Sequence, residues 1–184
     1  RNDPTAAAKQ VSLTELGSIK IDKEERAKML KTIPRTSIIG FLIGVLPGAG
    51  ATIASFLAYG MERNLVSDKE KEKFGKGSVH GLTAPETANN AACSGAFVPL
   101  LTLGIPGSGT TAVMLGALLG FGIQPGPRLY VTNPEIFWSV IMSMYIGMVI
   151  LLILNLPLIP YIARILAVPK NYLIPLILFF SITG

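Results

Sequence analysis

Residues 82–123 read LTAPETANNAACSGAFVPLLTLGIPGSGTTAVMLGALLGFGI, and Glu86 is the one charged side chain among them. The stretch is apolar enough to enter a bilayer, yet Pro85, Pro99, Pro106 and repeated glycines interrupt it. A plain membrane anchor has no use for such interruptions. Irregular backbone at membrane depth is tolerated only where it is buried in protein or lines a cavity, and broken helices carry transporter sites in that way. The sequence repeats the device. Residues 46–54 read LPGAGATIA and residues 105–113 read IPGSGTTAV, so the proline, both glycines and a threonine superpose at an offset of 59 positions. Two matched Gly/Pro breaks in apolar segments are the strongest sequence-level pointer to a substrate site.

The rest of the composition agrees with a membrane setting. Of 184 residues, 50% are hydrophobic and 15% charged, which is too apolar for a soluble domain and fits a membrane protein with polar loops. The net charge of +5 comes from basic residues in loops. That distribution suits membrane topology and excludes a nucleic-acid surface, which needs a basic face interleaved with aromatic or polar readers. Cys93 is the only cysteine and His80 the only histidine. An internal disulfide is therefore impossible, and no second histidine or thiol stands at zinc-ligand spacing. The C-terminal run YLIPLILFFSITG reads as a span cut short, so the chain is expected to be part of a longer protein.

The expected organisation is all-α and integral to the membrane, with broken or re-entrant helices beside spanning ones. Residues 1–35 read as a linker and a surface helix. Asp22 and Glu25 form its capping box and Pro34 ends it. Residues 36–184 form the membrane domain. Within it, residues 36–60 are uncharged and split by Pro47-Gly48-Ala49-Gly50 into halves that suit a hairpin dipping to the midplane. Its flanks, residues 20–35 and 61–76, carry six and five basic residues, so both are placed on the cytoplasmic side. Residues 61–80 form a charged loop, with Ser67 and Glu70 as a second capping box. Residues 82–123 are the broken helices, starting at Thr83-Ala84-Pro85-Glu86 with Thr83 as N-cap. Residues 135–156 are a spanning helix ended by Pro157 and Pro160, and residues 172–184 are a truncated span. The pairs Gly40/Gly44, Gly44/Gly48 and Gly116/Gly120 mark places where helices pack closely.

Chemistry is expected at the breaks. Proline removes a donor and glycine permits positive φ, so the remaining N–H groups can turn toward one point, and the following helix adds its positive end. Pro47, Gly48, Ala49 and Gly50, with Pro106, Gly107, Ser108 and Gly109, thus make an anion site that needs no basic side chain. Carbonyls freed from the preceding half-helix can hold Na⁺. Thr52 follows the first break, and Thr110 and Thr111 follow the second; their hydroxyls can bind carboxylate or Na⁺, or bond back to their own helices. Between Gly77 and Pro127 there is no lysine or arginine. An anion at the midplane would meet dipoles alone, and an uncompensated charge there costs at least ~2.5 kcal/mol. A co-bound Na⁺ or H⁺ offsets that cost, with Glu86, Asn89 and Asn90 as the coupling-ion candidates. Glu86 also fits a capping role.

The stretches PGAGATIASFLAYGMER, FGKGSVHGLTAPETANNAACSGAFVPLLTLGIPGSGTTAVMLGALL and GIQPGPRLY resemble the large membrane subunit, the TctA family, of the tripartite tricarboxylate transporters. The resemblance runs closely over residues 39–130. It implies a multi-pass permease of the bacterial inner membrane, not an enzyme and without a cofactor. It further implies a small membrane subunit and a periplasmic binding protein as partners, and uptake of a citrate-like tri- or dicarboxylate driven by Na⁺ or H⁺. Carried over by position, the site is 47–50, Glu86 with Asn89 and Asn90, and 106–109. The family's fold has two related halves, and this chain looks like part of the second. The competing classes are a membrane enzyme cradling a phosphate, for which the GK[ST] ending of a P-loop is missing, and a channel subunit.

Overall fold

The structure, a computed structural model, describes residues 21–165 and 170–183; the expected polar tail of residues 1–19 lies outside them. All regular structure among the described residues is helical. They fall into two compact units, Ile21–Val140 and the described residues from 141 onward.

Three helices build the first unit: α1 (Lys23–Val45), α2 (Gly50–Leu65) and, after the short α3 (Asp68–Lys71), α4 (Val79–Gly95). Each buries one stripe at four-residue spacing. On α1 the stripe is Thr32, Thr36, Gly40 and Gly44. On α2 it is Ala54, Ala58 and Glu62. On α4 it is His80, Ala84, Ala88 and Ala92. Side chains this small let backbones touch, the usual way helices associate where lipid removes the hydrophobic drive. A methyl group added at Gly40 would lie 2.6 Å from the Ala88 Cα, and one at Gly44 2.6 Å from the Ala92 Cα. Position 40 meets 88 and 44 meets 92, so α1 and α4 run parallel. Ser55 meets Asn89 and Glu62 meets His80, so α2 is antiparallel to α4 and forms a hairpin with α1. Consequently α1 and α4 finish at the same end of the bundle, and the hairpin turn of residues 46–49 lies there too.

The chain continues through α5 (Phe97–Leu103), α6 (Gly109–Gly120) and α7 (Leu129–Thr132) into α8 (Pro134–Ile165); α9 (Lys170–Thr183) closes the described chain. Within α8, Pro134–Ile159 is the one helix among the described residues both long and apolar enough to cross a bilayer. Helices α6 and Ile174–Thr183 are apolar but shorter.

Several expected boundaries move. Pro34 does not end the first helix; α1 runs through it to Val45. Pro34 and Leu30 are both exposed, so the ring points away from the packed face and the Leu30 carbonyl that loses its partner is not sealed in. Helix α4 starts one turn before the expected Thr83 cap. Ser78 caps it, accepting from the Gly81 N–H at 3.0 Å, and Pro85 sits inside. Glu86 is therefore not the capping partner assigned to it. Ser67 provides no side-chain cap for α3. Its expected partner Glu70 instead takes Lys73 at 2.8 Å and Lys28 at 3.2 Å, and both lysines draw its carboxyl below the ordinary range. Helix α8 continues through Pro157 and Pro160 to Ile165, because each proline removes one donor while the rest of a long helix stays bonded. Of the glycine pairs, Gly40/Gly44 packs as expected, Gly48 lies in the turn, and nothing approaches Gly116 or Gly120 within 4 Å.

Candidate functional site

The first break is a turn at the end of α1. The Ala49 N–H reaches the Leu46 carbonyl at 3.2 Å, and Gly48 and Gly50 hold φ of +83° and +69°. Those values admit glycine and strain other residues. Helix α2 then begins without a side-chain cap, which leaves its first N–H groups unclaimed by side chains. Pro47, Gly48 and Thr52 are exposed, and Ala49 and Gly50 partly so.

The second break follows α5. Gly104 adopts φ +70° and its N–H closes on the Leu100 carbonyl at 3.0 Å. Pro106 and Gly107 lead to Ser108, which caps α6. The Thr111 N–H donates to Ser108 Oγ at 3.2 Å, and the Ser108 N–H donates to Thr111 Oγ1 at 2.8 Å. Ser108 and Thr111 therefore spend their hydroxyls on the start of the helix. A Ser108→Ala variant of the full-length protein is expected to lose about 1 kcal/mol of stability, read as a lower melting temperature in detergent. Gly109 and Thr110 are exposed.

The two breaks meet. Gly107 is buried, and a methyl built on it would lie 3.6 Å from the Ala96 Cβ, 3.8 Å from the Gly44 carbonyl oxygen and 3.9 Å from the Pro47 Cα. Positions 47 and 107, sixty residues apart in sequence, thus touch across the ends of α1 and α5. The sequence PGxG pair is one place in space.

The polar residues of α4 divide. Asn89 Nδ2 donates to Ser55 Oγ at 3.3 Å, and Ser55 Oγ donates onward to the Pro85 carbonyl at 3.2 Å or the Ala51 carbonyl at 3.0 Å. Asn89 thus ties α4 to α2. Asn90 faces out, its amide returned to the Glu86 carbonyl at 3.0 Å. Glu86 is exposed too, and its carboxylate has no partner among the described residues. The three coupling-ion candidates are therefore not one cluster: Asn89 turns inward, while Glu86 and Asn90 share the outer face.

The sequence pattern of the tripartite tricarboxylate transporter TctA family matches residues 1–184. The chain belongs to that family. It is 40% identical over all 184 of its residues to an uncharacterized 52.8 kDa protein in the TAR-I ttuC' 3' region of Agrobacterium vitis, covering 36% of that protein. It is 46% identical over 145 residues to a protein in the TAR-II ttuC' 3' region of the same organism, covering 79% of this chain and 59% of that one. The chain thus spans about a third and about three-fifths of these relatives. No solved structure matches it.

One cluster in this TctA-family chain escaped the sequence reading. At the opposite end of the helices from the breaks, the three stripes finish in polar groups. Glu62 is 0% exposed. It accepts from Arg35 Nε at 2.7 Å, from a second guanidinium nitrogen of Arg35 and from Thr32 Oγ1 at 2.8 Å, and its Oε1 lies 2.9 Å from His80 Nδ1. Glu62 stands beyond the apolar run of α2, which stops at Tyr59. Burial pushes its carboxyl up, but the bonds from Arg35, Thr32 and His80 and the Arg35 charge prevail and hold it below the usual range. The available signal was the spacing itself: Thr32, Glu62 and His80 continue the four-residue rows of small residues on their helices.

Proposed function

We propose that this chain forms part of the permease subunit of a tripartite carboxylate importer in the bacterial inner membrane. The observation that carries the reading is the contact of Gly107 with Pro47 in a TctA-family chain. It brings the glycine turn before α2 against the bend before α6, and main-chain N–H groups and helix dipoles there can receive an anion. The hydroxyls of Ser108 and Thr111 are occupied, so recognition there falls mainly to the backbone of residues 47–50 and 106–109, with Thr52 and Thr110 at the edge and Asn89 bracing α4 behind. Residues 36–60 form the re-entrant hairpin, with the charged ends of α1, α2 and α4 in the cytoplasm, and α8 spans the membrane. The substrate is a tri- or dicarboxylate handed over by a periplasmic binding protein, a small membrane subunit completes the assembly, and Na⁺ or H⁺ moves with it. Glu86 and Asn90, on the outer face of α4, remain the Na⁺ candidates.

The test uses the full-length protein reconstituted with its partners. Contacts at 3.6–3.9 Å are ordinary, so Gly107→Ala is expected to retain uptake of radiolabelled citrate. Gly107→Leu fills the junction and is expected to reduce initial uptake at least ~100-fold, in keeping with the cost of displacing bound groups by an ångström. Uptake by Gly107→Leu equal to the wild type sinks the proposal.

A further inference from the structure

The Glu62 cluster suits a ligand of its own. His80 Nδ1 faces two oxygens, Glu62 Oε1 at 2.9 Å and Thr32 Oγ1 at 2.8 Å. An ionised carboxylate only accepts, so a bare Nδ1 would set lone pair against lone pair. Nδ1 therefore carries hydrogen, and in the neutral ring Nε2 is bare. Nε2 has no partner among the described residues, yet no buried side-chain nitrogen or oxygen among them lacks one. It follows that Nε2 is not sealed off, although His80 as a whole is 7% exposed.

The charges around it are few. Arg35 on α1 and Glu62 on α2 cancel each other. Lys28, one turn before Thr32 on α1, is held by Glu24 at 2.7 Å and by Glu70 at 3.2 Å. Protonation at Nε2 converts a neutral cluster to one of charge +1. The step is a single proton transfer: the Nε2 lone pair takes a proton from water and no other bond breaks.

We propose that His80, with Glu62 as its counter-ion, is a proton-binding site of this chain, and that its occupancy sets the pH dependence of transport. Its position gives it leverage. The cluster joins α1, α2 and α4, whose far ends lie beside the breaks: α1 and α2 flank the first, and Ala96, just past α4, lies against Gly107. From Glu62 to Gly50 is about 18 Å of helix at 1.5 Å per residue, and beside it the α1–α4 seam is backbone packed on backbone. Protonation strengthens the Nδ1–H hold on Glu62 and sets the imidazolium against Arg35, which shares that carboxylate, so the tie among the three helices changes at one end and is passed along a stiff seam to the other. The link to uptake rests on the transport reading; the proton site itself does not.

Two measurements test it on the full-length protein. In proteoliposomes holding all the subunits, citrate uptake is followed from about pH 5.5 to 8, the range in which histidine titrates. The wild type is expected to change at least ~3-fold over that range. His80→Asn keeps an N–H donor for Glu62 but cannot titrate, and its profile is expected to be flat. A flat wild-type profile, or a variant profile that follows the wild type, overturns the coupling. Nitrogen NMR of histidine-labelled protein reads the site without transport, the His80 signal being assigned by its displacement in Thr32→Ser. Nδ1 is expected to keep its proton throughout while Nε2 gains one as pH falls. A bare Nδ1, or a ring that does not titrate, overturns the proton site. If uptake is absent while this titration is intact, the transport reading falls and the proton site stands.

Discussion

Gly44→Ala in the full-length protein is expected to cost about 3 kcal/mol, the upper end of the usual range for overpacking. The reason lies in what the added methyl meets. It would sit 2.6 Å from the Ala92 Cα and 2.7 Å from the Ala92 carbonyl carbon. These are backbone atoms, which cannot swing aside as the tip of a long side chain would. The helices must part, and parting them at Gly44 also loosens the neighbouring approach at Gly40. In addition, Gly44 offers its carbonyl at the junction with Gly107, so displaced backbone there disturbs the break itself. Gly60→Ala and Gly116→Ala are the controls. Both glycines are helical with nothing within 4 Å, and alanine there gains up to about 1 kcal/mol from helix propensity. Thermal melting in detergent should separate the two classes clearly. A Gly44→Ala protein that melts with the wild type would mean that α1 and α4 do not meet at their backbones.

That seam was half legible in the sequence. Gly40 and Gly44 stood out as a small pair suited to close packing, and α1 uses them so. Their partners were not legible. Ala84, Ala88 and Ala92 belong to a stretch whose prolines and asparagines suggested a broken helix beginning near Thr83, which hid an α4 that starts at Val79 and carries Pro85 inside. A proline forbids one hydrogen bond, not a helix, and which outcome wins depends on the packing around it. Pro34 repeats the lesson: the reading stopped the first helix where the chain changes from charged to apolar, but α1 crosses that boundary without a break.

The pairing of the two PGxG segments was legible, although Gly107 and Gly109 do not take the positive φ that Gly48 and Gly50 do, because an internal echo carries information that no single motif does. It paired residues 47–50 with 106–109, and Gly107 lies against Pro47. The side chains were read less well. Ser108 and Thr111 look like ligands in a list of hydroxyls, yet a serine three residues before a threonine at a helix start is also a reciprocal cap. Asn89 and Asn90 look like a pair, yet neighbours on a helix point about 100° apart, so one ties α4 to α2 while the other faces outward. Glu62, His80 and Thr32 went unread because each lies far from the others in sequence.

Arg35→Met is expected to destabilise the full-length protein by about 3–5 kcal/mol at neutral pH, the range for orphaning a buried ion. Methionine keeps the aliphatic stem, so the loss is the charge and its hydrogen bonds. What remains is a carboxylate with 0% of its side chain exposed, held by Thr32 and His80 alone. Glu62→Gln should cost less, about 1–2 kcal/mol. It leaves an arginine whose side chain is 38% exposed and whose head can turn to water. The double variant should recover part of the Arg35→Met loss, since removing both charges avoids leaving either alone. Acid separates these cases by sign. In the wild type the Glu62 carboxyl is held below its ordinary 4.5. Its contribution is complete above that value and is lost as pH falls through the lower, folded-state value. Taking Arg35 away removes the largest influence holding the carboxyl down and leaves burial, the largest influence of all, to push it up against the weaker pull of Thr32 and His80. In Arg35→Met the folded protein is then expected to bind a proton more readily than the unfolded chain, so relative stability should rise as pH drops toward 4.5, a range over which the wild-type Glu62 contribution stays constant. Equal melting temperatures for Arg35→Met and Glu62→Gln, with parallel acid profiles, would show that the buried carboxylate does not depend on Arg35.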